Sequence, residues 1–250
     1  LFEKNGFISK LDLYMFEETC RIKSTWKGTK YEHIPISINM SRLHLYNQTY
    51  PDQLVEIAGR YQIPTNELEL EVTESIFLKD STELIRMINQ LQDRGFMISI
   101  DDFGSGFSAL NLLKDLNANT IKLDREFLSN SSNSTRGKKI IRNVIALCLD
   151  LKMDVVTEGI ETKDQIDFIT RCGCQIGQGY YYAKPLCEKD FVTFAEEYLT
   201  NIRDSFVFHL DGSLKSEDGS REGLFCGDQP VTYGPGIFKD SKALSFPGGA

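Results

Sequence analysis

LELEV, at residues 68–72, alternates glutamate with aliphatic residues over the length of a short β-strand. Successive side chains of a strand point to opposite faces, so Glu69 and Glu71 share one face and the aliphatic residues share the other. Three further runs repeat this alternation of polar and aliphatic residues. Their polar positions are Ser37 and Asn39, then Ser99 and Asp101, then Thr120, Lys122 and Asp124.

These strands do not read as the nearly continuous apolar runs of a parallel sheet that helices cover on both faces. A face that turns polar toward the C-terminal end of each strand is typical of a barrel with its site at that mouth. Strand-like and amphipathic runs alternate along the chain, which indicates βαβ units. The sequence therefore predicts an α/β fold, a TIM-type (β/α)8 barrel. Its strand candidates cover residues 34–39, 68–72, 96–101, 120–124, 154–158 and 175–176.

The clearest helix candidate covers residues 80–94. Asp80 and Glu83 have the spacing of a capping box and predict its start. Gly95 suits its C-terminal stop. A second helical pattern runs from residue 11 to about residue 22.

The composition excludes several classes of protein. The 250 residues carry a net charge of -8, whereas a surface for duplex nucleic acid needs clustered Lys and Arg; we expect no duplex partner. No run approaches the ~18 apolar residues of a membrane span, so we expect no membrane segment in this chain. The six cysteines show no CxxC spacing, which favours reduced thiols in a cytoplasmic protein.

Polar residues end several predicted strands and should meet at one mouth of the barrel. Carboxylates gathered there would repel one another unless cations were bound, and oxygen ligands suit Mg²⁺ or Mn²⁺. The adjacent Asp101 and Asp102 could serve two ions, the arrangement used for in-line displacement at phosphorus. Lys122 would be a fixed positive group for a phosphate or an attacking water. The strand-end residues are Asn39, Glu71, Asp101, Asp102, Lys122, Asp124, Glu158 and Glu161.

DDFGSGFSAL, at residues 101–110, admits two other interpretations. Its glycines match the G-x-G-x-x-A turn of dinucleotide-binding folds, but two acids directly before them would repel a pyrophosphate. Asp102-Phe103-Gly104 also spells the kinase DFG, yet no H-R-D loop precedes it and no V-A-I-K strand exists, so that match is accidental.

The ordered motifs of the chain resemble those of EAL domains. The matching runs are SINMS (37–41), LELEVTES (68–75), DDFGSGFSAL (101–110), IKLD (121–124), EGIET (158–162) and GQGYYYAKPL (177–186). EAL domains are TIM-barrel enzymes that hydrolyse cyclic di-GMP to linear pGpG. The resemblance therefore implies a two-metal phosphodiesterase with cyclic di-GMP as its ligand. It also implies a homodimer formed through this domain.

By this resemblance, each strand-end residue receives a role. Lys122 holds the nucleophilic water, and Glu158 is the general base. Glu74 anchors the loop after Asp102, which the family couples to dimerisation and activity. The implied metal ligands are Asn39, Glu71, Asp101 and Asp102. Asp124, Glu161 and Gln178 support the metal or the substrate.

The chain departs from the family at its start. The Glu-Ala-Leu segment that names the family lies on the first barrel strand, and it would fall before Leu1. We therefore expect residues 1–206 to form an incomplete barrel that lacks one strand and one metal carboxylate, with weak or absent hydrolysis. The alternative function is a catalytically inactive module that acts as a cyclic di-GMP receptor or binds a partner protein.

The segment from residue 207 to residue 250 has a different character. It is rich in Gly, Ser and Asp and shows no helical period. Parts of it resemble the opening strands of a laminin-G or concanavalin-like β-sandwich. We expect it to be either a disordered tail or the start of a sandwich too short to close its core.

Overall fold

The computed structural model describes residues 7–104, 113–114, 116–132 and 134–205. Within this part of the chain, parallel strands form one six-stranded sheet in which spatial order equals chain order. Its strands are β1 (Ile36–Asn39), β2 (Leu68–Thr73), β3 (Met97–Phe103), β4 (Thr120–Leu123), β5 (Asp154–Thr157) and β6 (Ile176–Gly177). Each strand candidate from the sequence is confirmed, and both of its ends agree within two residues.

Helices connect these strands. They are α1 (Phe7–Ser24), α2 (Tyr50–Tyr61), α3 (Glu74–Gln92), α4 (Arg125–Ser132), α5 (Thr135–Asp150), α6 (Lys163–Arg171) and α7 (Glu188–Ser205), with short 3₁₀ turns at Arg42–Tyr46 and Thr65–Glu67. Among the described residues, no helix has the length and apolar character needed to cross a membrane.

The predicted helix start at residue 80 falls at a break in α3. Two helical segments meet at Asp80, whose backbone leaves the helical conformation (φ -137°, ψ 39°). The second segment therefore begins directly after Asp80, as predicted, whereas the first segment, which begins at Glu74, was not predicted. The predicted stop is confirmed: α3 ends at Gln92, and Gly95 follows with φ +89°, a conformation that suits glycine.

The two faces of the sheet differ as the alternation in LELEV predicts. Leu68, Leu70 and Val72 are fully buried in the main hydrophobic cluster with residues of the surrounding helices. On the opposite face, Glu69 and Glu71 are also buried, each 6% exposed. A parallel sheet with helices on one face and polar groups on the other is the arrangement of a TIM-type barrel. The barrel is incomplete, because β1 and β6 do not pair in the described residues.

A second, smaller cluster joins the two ends of the described chain. Phe191 of α7 packs against Trp26, with ring centroids 5.0 Å apart, and Tyr31 meets the same indole edge-on. Next to it, the buried ammonium of Lys23 pairs with Glu67 at 2.9 Å and donates to two backbone carbonyls. The C-terminal helix is thereby fixed to the segment that follows α1. The tail predicted for residues 207–250 lies outside the described residues.

Candidate active site

The strand register brings the predicted site residues to one end of the sheet. Asn39 ends β1 directly opposite Glu71 of β2, and Asp101 lies one strand further on, opposite Thr73. The backbone N–H of Glu158, just after β5, donates to the carbonyl of Leu123 at 3.0 Å. These are the C-terminal ends of parallel strands, where barrel enzymes carry their active sites.

A β-bulge shifts the register where β3 meets β4. Ile100 pairs with Ile121 and Phe103 pairs with Leu123, so Asp101 and Asp102 together lie opposite Lys122. Bulges re-aim side chains and are frequent beside active sites. Asp102 takes a left-handed backbone (φ +56°) here, and its N–H donates to Asp101 Oδ1 at 3.0 Å.

The Lys122 ammonium is the centre of the cluster. Its Nζ lies 2.7 Å from Glu158 Oε1, 2.8 Å from Glu71 Oε1 and 3.5 Å from Asp101 Oδ1. The lysine side chain is 5% exposed, so all three interactions operate in a poorly solvated interior. One positive charge faces three carboxylates, and the cluster keeps an excess of negative charge.

The pKa values of the cluster reflect this imbalance. Burial alone would lower the pKa of Lys122, but the carboxylates of Glu71, Glu158 and Asp101 outweigh it and hold that pKa above its usual range. Burial raises the pKa of Glu71 and Glu158, and Lys122 opposes the shift only in part. The pKa of Asp102 is raised by its partial burial and by the neighbouring carboxylates of Asp101 and Asp124. The raised pKa of Lys122 indicates a negative potential at the site, which attracts further cations.

Asp124 and Glu161 lie at the rim and have local partners. Asp124 Oδ1 accepts the N–H groups of Glu126 at 2.7 Å and Phe127 at 3.4 Å, which is an N-cap interaction for α4. Glu161 forms an ion pair with Arg125 at 2.8 Å. Both side chains are therefore already engaged by the protein.

Gln178 lies just after β6 and presents a buried oxygen. Its backbone bonds both Thr157 and Ile160, which fixes the residue beside the β5 end. Its Oε1 is buried without a hydrogen-bond partner among the described residues. A buried acceptor without a donor costs free energy, so this oxygen suits a bound ligand or cation.

Glu74 follows β2 and reaches the end of β3. Its Oε2 accepts the N–H of Gly104 at 3.0 Å, and the residue is 2% exposed. This is the contact that an anchor of the loop after Asp102 requires. Most of that loop, residues 105–112, lies outside the described residues.

Comparison with known proteins identifies the family. The model of the EAL domain family matches residues 1–185. The protein belongs to the EAL domain family. Oxygen sensor protein DosP of Escherichia coli is 33% identical over 187 residues, which are 74% of this chain and 23% of DosP. The bifunctional diguanylate cyclase/cyclic di-GMP phosphodiesterase MucR of Pseudomonas aeruginosa is 33% identical over 186 residues, 74% of this chain and 27% of MucR.

A solved structure gives the same result. The PaMucR phosphodiesterase in its c-di-GMP complex has a TM-score of 0.70 and 32% identity, over 76% of this chain and 77% of that chain. The fold of this chain is therefore shared with that structure over most of both chains. The chain spans only about a quarter of the length of the two curated relatives named above.

Two residues of this EAL domain were not proposed as site residues from the sequence. Glu69 is buried on the same face as Glu71, and burial raises its pKa; Ser37 Oγ donates to it at 3.4 Å. The LELEV alternation already contained the signal for Glu69. Arg125, the partner of Glu161, could not be found in this way, because it lies at the start of a helix and not on a strand.

The donor chemistry of the EAL site suits a divalent metal. The available groups are oxygens only, from Asn39, Glu71, Asp101 and Asp102, and the buried Gln178 oxygen is unpaired among the described residues. In the part of the chain that the structure describes, however, no three Asp, Glu, His or Cys side chains are already arranged to bind a metal ion. Instead, three carboxylates converge on Lys122. The residues fit a metal by their chemistry and their charge.

Proposed function

We propose that this EAL domain hydrolyses cyclic di-GMP to linear pGpG. The observation that carries the proposal is the Lys122 ammonium held between Glu71 and Glu158 at the C-terminal ends of the strands. The relative MucR is named as a cyclic di-GMP phosphodiesterase, and the PaMucR structure is a c-di-GMP complex. A phosphodiester substrate also suits an acidic site, provided that cations neutralise its charge.

In the proposed reaction, Glu158 accepts the proton of the attacking water. Its raised pKa, caused mainly by burial, makes it a stronger base than an ordinary glutamate. Lys122 orients the Glu158 carboxylate and supplies a positive charge that stabilises a developing hydroxide or phosphate charge. Asp124, Glu161 and Gln178 would support the substrate or the cations at the rim.

Two Mg²⁺ or Mn²⁺ ions would be held by Asn39, Glu71, Asp101 and Asp102, and they would neutralise the phosphate and acidify the attacking water. Asp101 and Asp102 are adjacent at the bulge, so these two carboxylates could serve the two ions. Glu74 would set the position of the following loop through Gly104.

We further propose that the catalytic domain spans residues 1–206 and forms a homodimer. The packing of Phe191 on Trp26 supports the inclusion of α7 in the domain. For the dimer, Ile140 and Leu147 are 44% and 37% exposed on one side of α5, and Leu151, which follows the helix, is 46% exposed. The free cysteines among the described residues favour a reducing compartment, the cytoplasm.

Chromatography of nucleotides after incubation of the chain with cyclic di-GMP and Mg²⁺ tests the proposal. We expect pGpG to accumulate slowly, in keeping with the weak hydrolysis predicted from the sequence, and EDTA should stop its release. Calorimetry of cyclic di-GMP binding in Ca²⁺ runs beside this assay. Binding without any pGpG would contradict the hydrolase and favour a receptor module, whereas loss of both binding and turnover would contradict cyclic di-GMP as the ligand.

A further inference from the structure

The loop between β5 and α6 carries two residues of the proposed site, Glu158 and Glu161. On the β6 side, Ile160 fixes this loop. Its N–H donates to the backbone carbonyl of Gln178 at 3.0 Å, and its carbonyl accepts from the backbone N–H of Tyr181 at 2.9 Å. On the β4 side, the backbone of Glu158 bonds Leu123 at 3.0 Å. At the start of α6, the N–H of Glu161 donates to Gln165 Oε1 at 2.8 Å. Contact between the stretch from Gly159 to Glu161 and the β4 side comes from a side chain.

Arg125 provides that contact. The methylene groups of its side chain lie against Gly159, where a Cβ atom would come 2.5 Å from Arg125 Cβ and 2.8 Å from Arg125 Cδ. Gly159 also has φ +66°, which favours glycine. Beyond this contact, the guanidinium pairs with Glu161 at 2.8 Å. One arginine therefore contacts both the middle and the far end of the loop.

The position of Arg125 is fixed by its place at the start of α4, next to two residues of the proposed site. It is the first residue of α4, and the preceding Asp124 caps that helix. Lys122, three residues before Arg125, holds the Glu158 carboxylate at 2.7 Å. The segment 122–125 therefore contacts residues 158–161 at three points. Lys122 binds the carboxylate of Glu158, and Arg125 contacts both the backbone at Gly159 and the carboxylate of Glu161.

We propose that Arg125 is a positioning residue for the proposed phosphodiesterase: it fixes the loop that presents Glu158, without touching the reacting atoms. This inference rests on the proposed function for its effect on turnover. The Arg125 and Glu161 side chains are 62% and 44% exposed, and ion pairs between exposed groups contribute little to stability. Removing the guanidinium should therefore loosen the loop and leave the domain folded.

Amide hydrogen exchange and steady-state kinetics of the full chain test the inference together. Arg125→Met keeps an unbranched stem over Gly159 and removes the charge. We expect faster exchange in peptides covering residues 157–162 and a roughly 10-fold to 100-fold lower kcat with KM nearly unchanged, because the base is misplaced while binding groups remain. Arg125→Lys, which keeps stem and charge, should recover part of both effects.

Arg60→Met is the matched control. Arg60 forms an exposed ion pair between helices with Glu17, also at 2.8 Å, away from the site, and this variant should change neither readout. Exchange in residues 157–162 that equals the wild type would overturn the inference, and so would faster exchange with an unchanged kcat. If the wild type shows no turnover, the proposed function fails, and the exchange comparison alone decides the role of Arg125.

Discussion

Lys122 donates to the Glu158 carboxylate across 2.7 Å, in an interior where the lysine is 5% and the glutamate 18% exposed. Each of these two residues therefore depends on the other for its charge state. Breaking a buried pair by removing one partner leaves an uncompensated charge, which costs more than the pair itself contributes.

Lys122→Met should destabilise the metal-free protein and abolish turnover. It leaves Glu71, Glu158 and Asp101 without their ammonium, at a cost of about 3–5 kcal/mol in the free energy of unfolding at pH 8. The two buried glutamates, whose pKa values burial already raises, would then protonate at still higher pH. Because protonated carboxyls need no counter-ion, the deficit relative to wild type should shrink as the pH falls toward 5. Urea unfolding in EDTA measures it.

Lys189→Met, on the exposed surface of α7, is the control for that substitution. The free energy of unfolding of this control should equal that of the wild type at both pH 8 and pH 5. A Lys122→Met protein that is as stable as the wild type at pH 8 would show that the buried carboxylates find another partner.

Glu158→Gln should separate binding from chemistry. The amide keeps the size of the side chain but cannot take a proton, so we expect turnover to fall ~10²-fold or more, the effect of a lost general base. Cyclic di-GMP affinity should stay within a few-fold. Calorimetry and a pGpG-release assay measure the two quantities, with the exposed Glu56→Gln of α2 as control. Near-parental turnover would rule out Glu158 as the base.

Glu74→Ala should loosen the end of β3 and lower turnover. The partly buried Gly104 N–H would lose its acceptor; a fully buried unpaired donor costs about 1–3 kcal/mol, so we expect a loss near the lower end of that range. Glu74→Gln, which retains a carbonyl acceptor, should lie between Ala and wild type in both turnover and exchange at Gly104. Equal turnover in all three proteins would leave Glu74 without a role in the reaction.

Leu147→Glu should weaken the proposed homodimer. It places a charge on the exposed apolar side of α5, whereas Leu149→Glu changes a similarly exposed residue (41%) on the opposite side of the helix. Sedimentation velocity over a concentration series should show a dissociation constant at least tenfold higher for Leu147→Glu only. A wild-type chain that stays monomeric throughout the series would refute the dimer.

Lys23→Met should reduce stability without a specific effect on kcat. Lys23 is buried, and its loss removes the partner of Glu67 and the donor for two carbonyls, leaving Glu67 with the exposed His33. We expect about 3–5 kcal/mol lower stability, measured by urea unfolding. Lys27→Met, which removes one exposed bond to Gln62, should be nearly neutral. Equal midpoints for the two variants would contradict a structural role of Lys23.

The strands and their polar ends were predictable because the alternation of polar and aliphatic residues is visible within a few consecutive residues. In LELEV the alternation fixes both the strand and the face on which Glu71 lies, and parallel strands carry such residues to one end. The contacts of Lys122 were not predictable, since they depend on the bulge that shifts Asp101 and Asp102 against β4. A bulge adds one residue to a strand and leaves no distinctive residue type in the sequence that would predict it.

The helix start at residue 80 was predictable, whereas the helical segment before it was not. Asp80 and Glu83 have capping-box spacing, and α3 is broken at Asp80. The earlier segment begins at Glu74, directly after β2, and Glu74 accepts a hydrogen bond from Gly104. That contact joins residues far apart along the chain, so local sequence patterns do not record it.

The strand order, which equals chain order, has a consequence for how the protein folds. Each strand can pair with the one made just before it, so the sheet can grow from β1 onward during synthesis. Glu71 enters this growing sheet on β2, but its counter-ion arrives only with β4. An intermediate that contains β1 to β3 alone lacks this ammonium, and burying the glutamate in it would be costly while the carboxylate is ionised. Mild acid should therefore populate such an intermediate, and neutral pH should make the arrival of β4 the committing step.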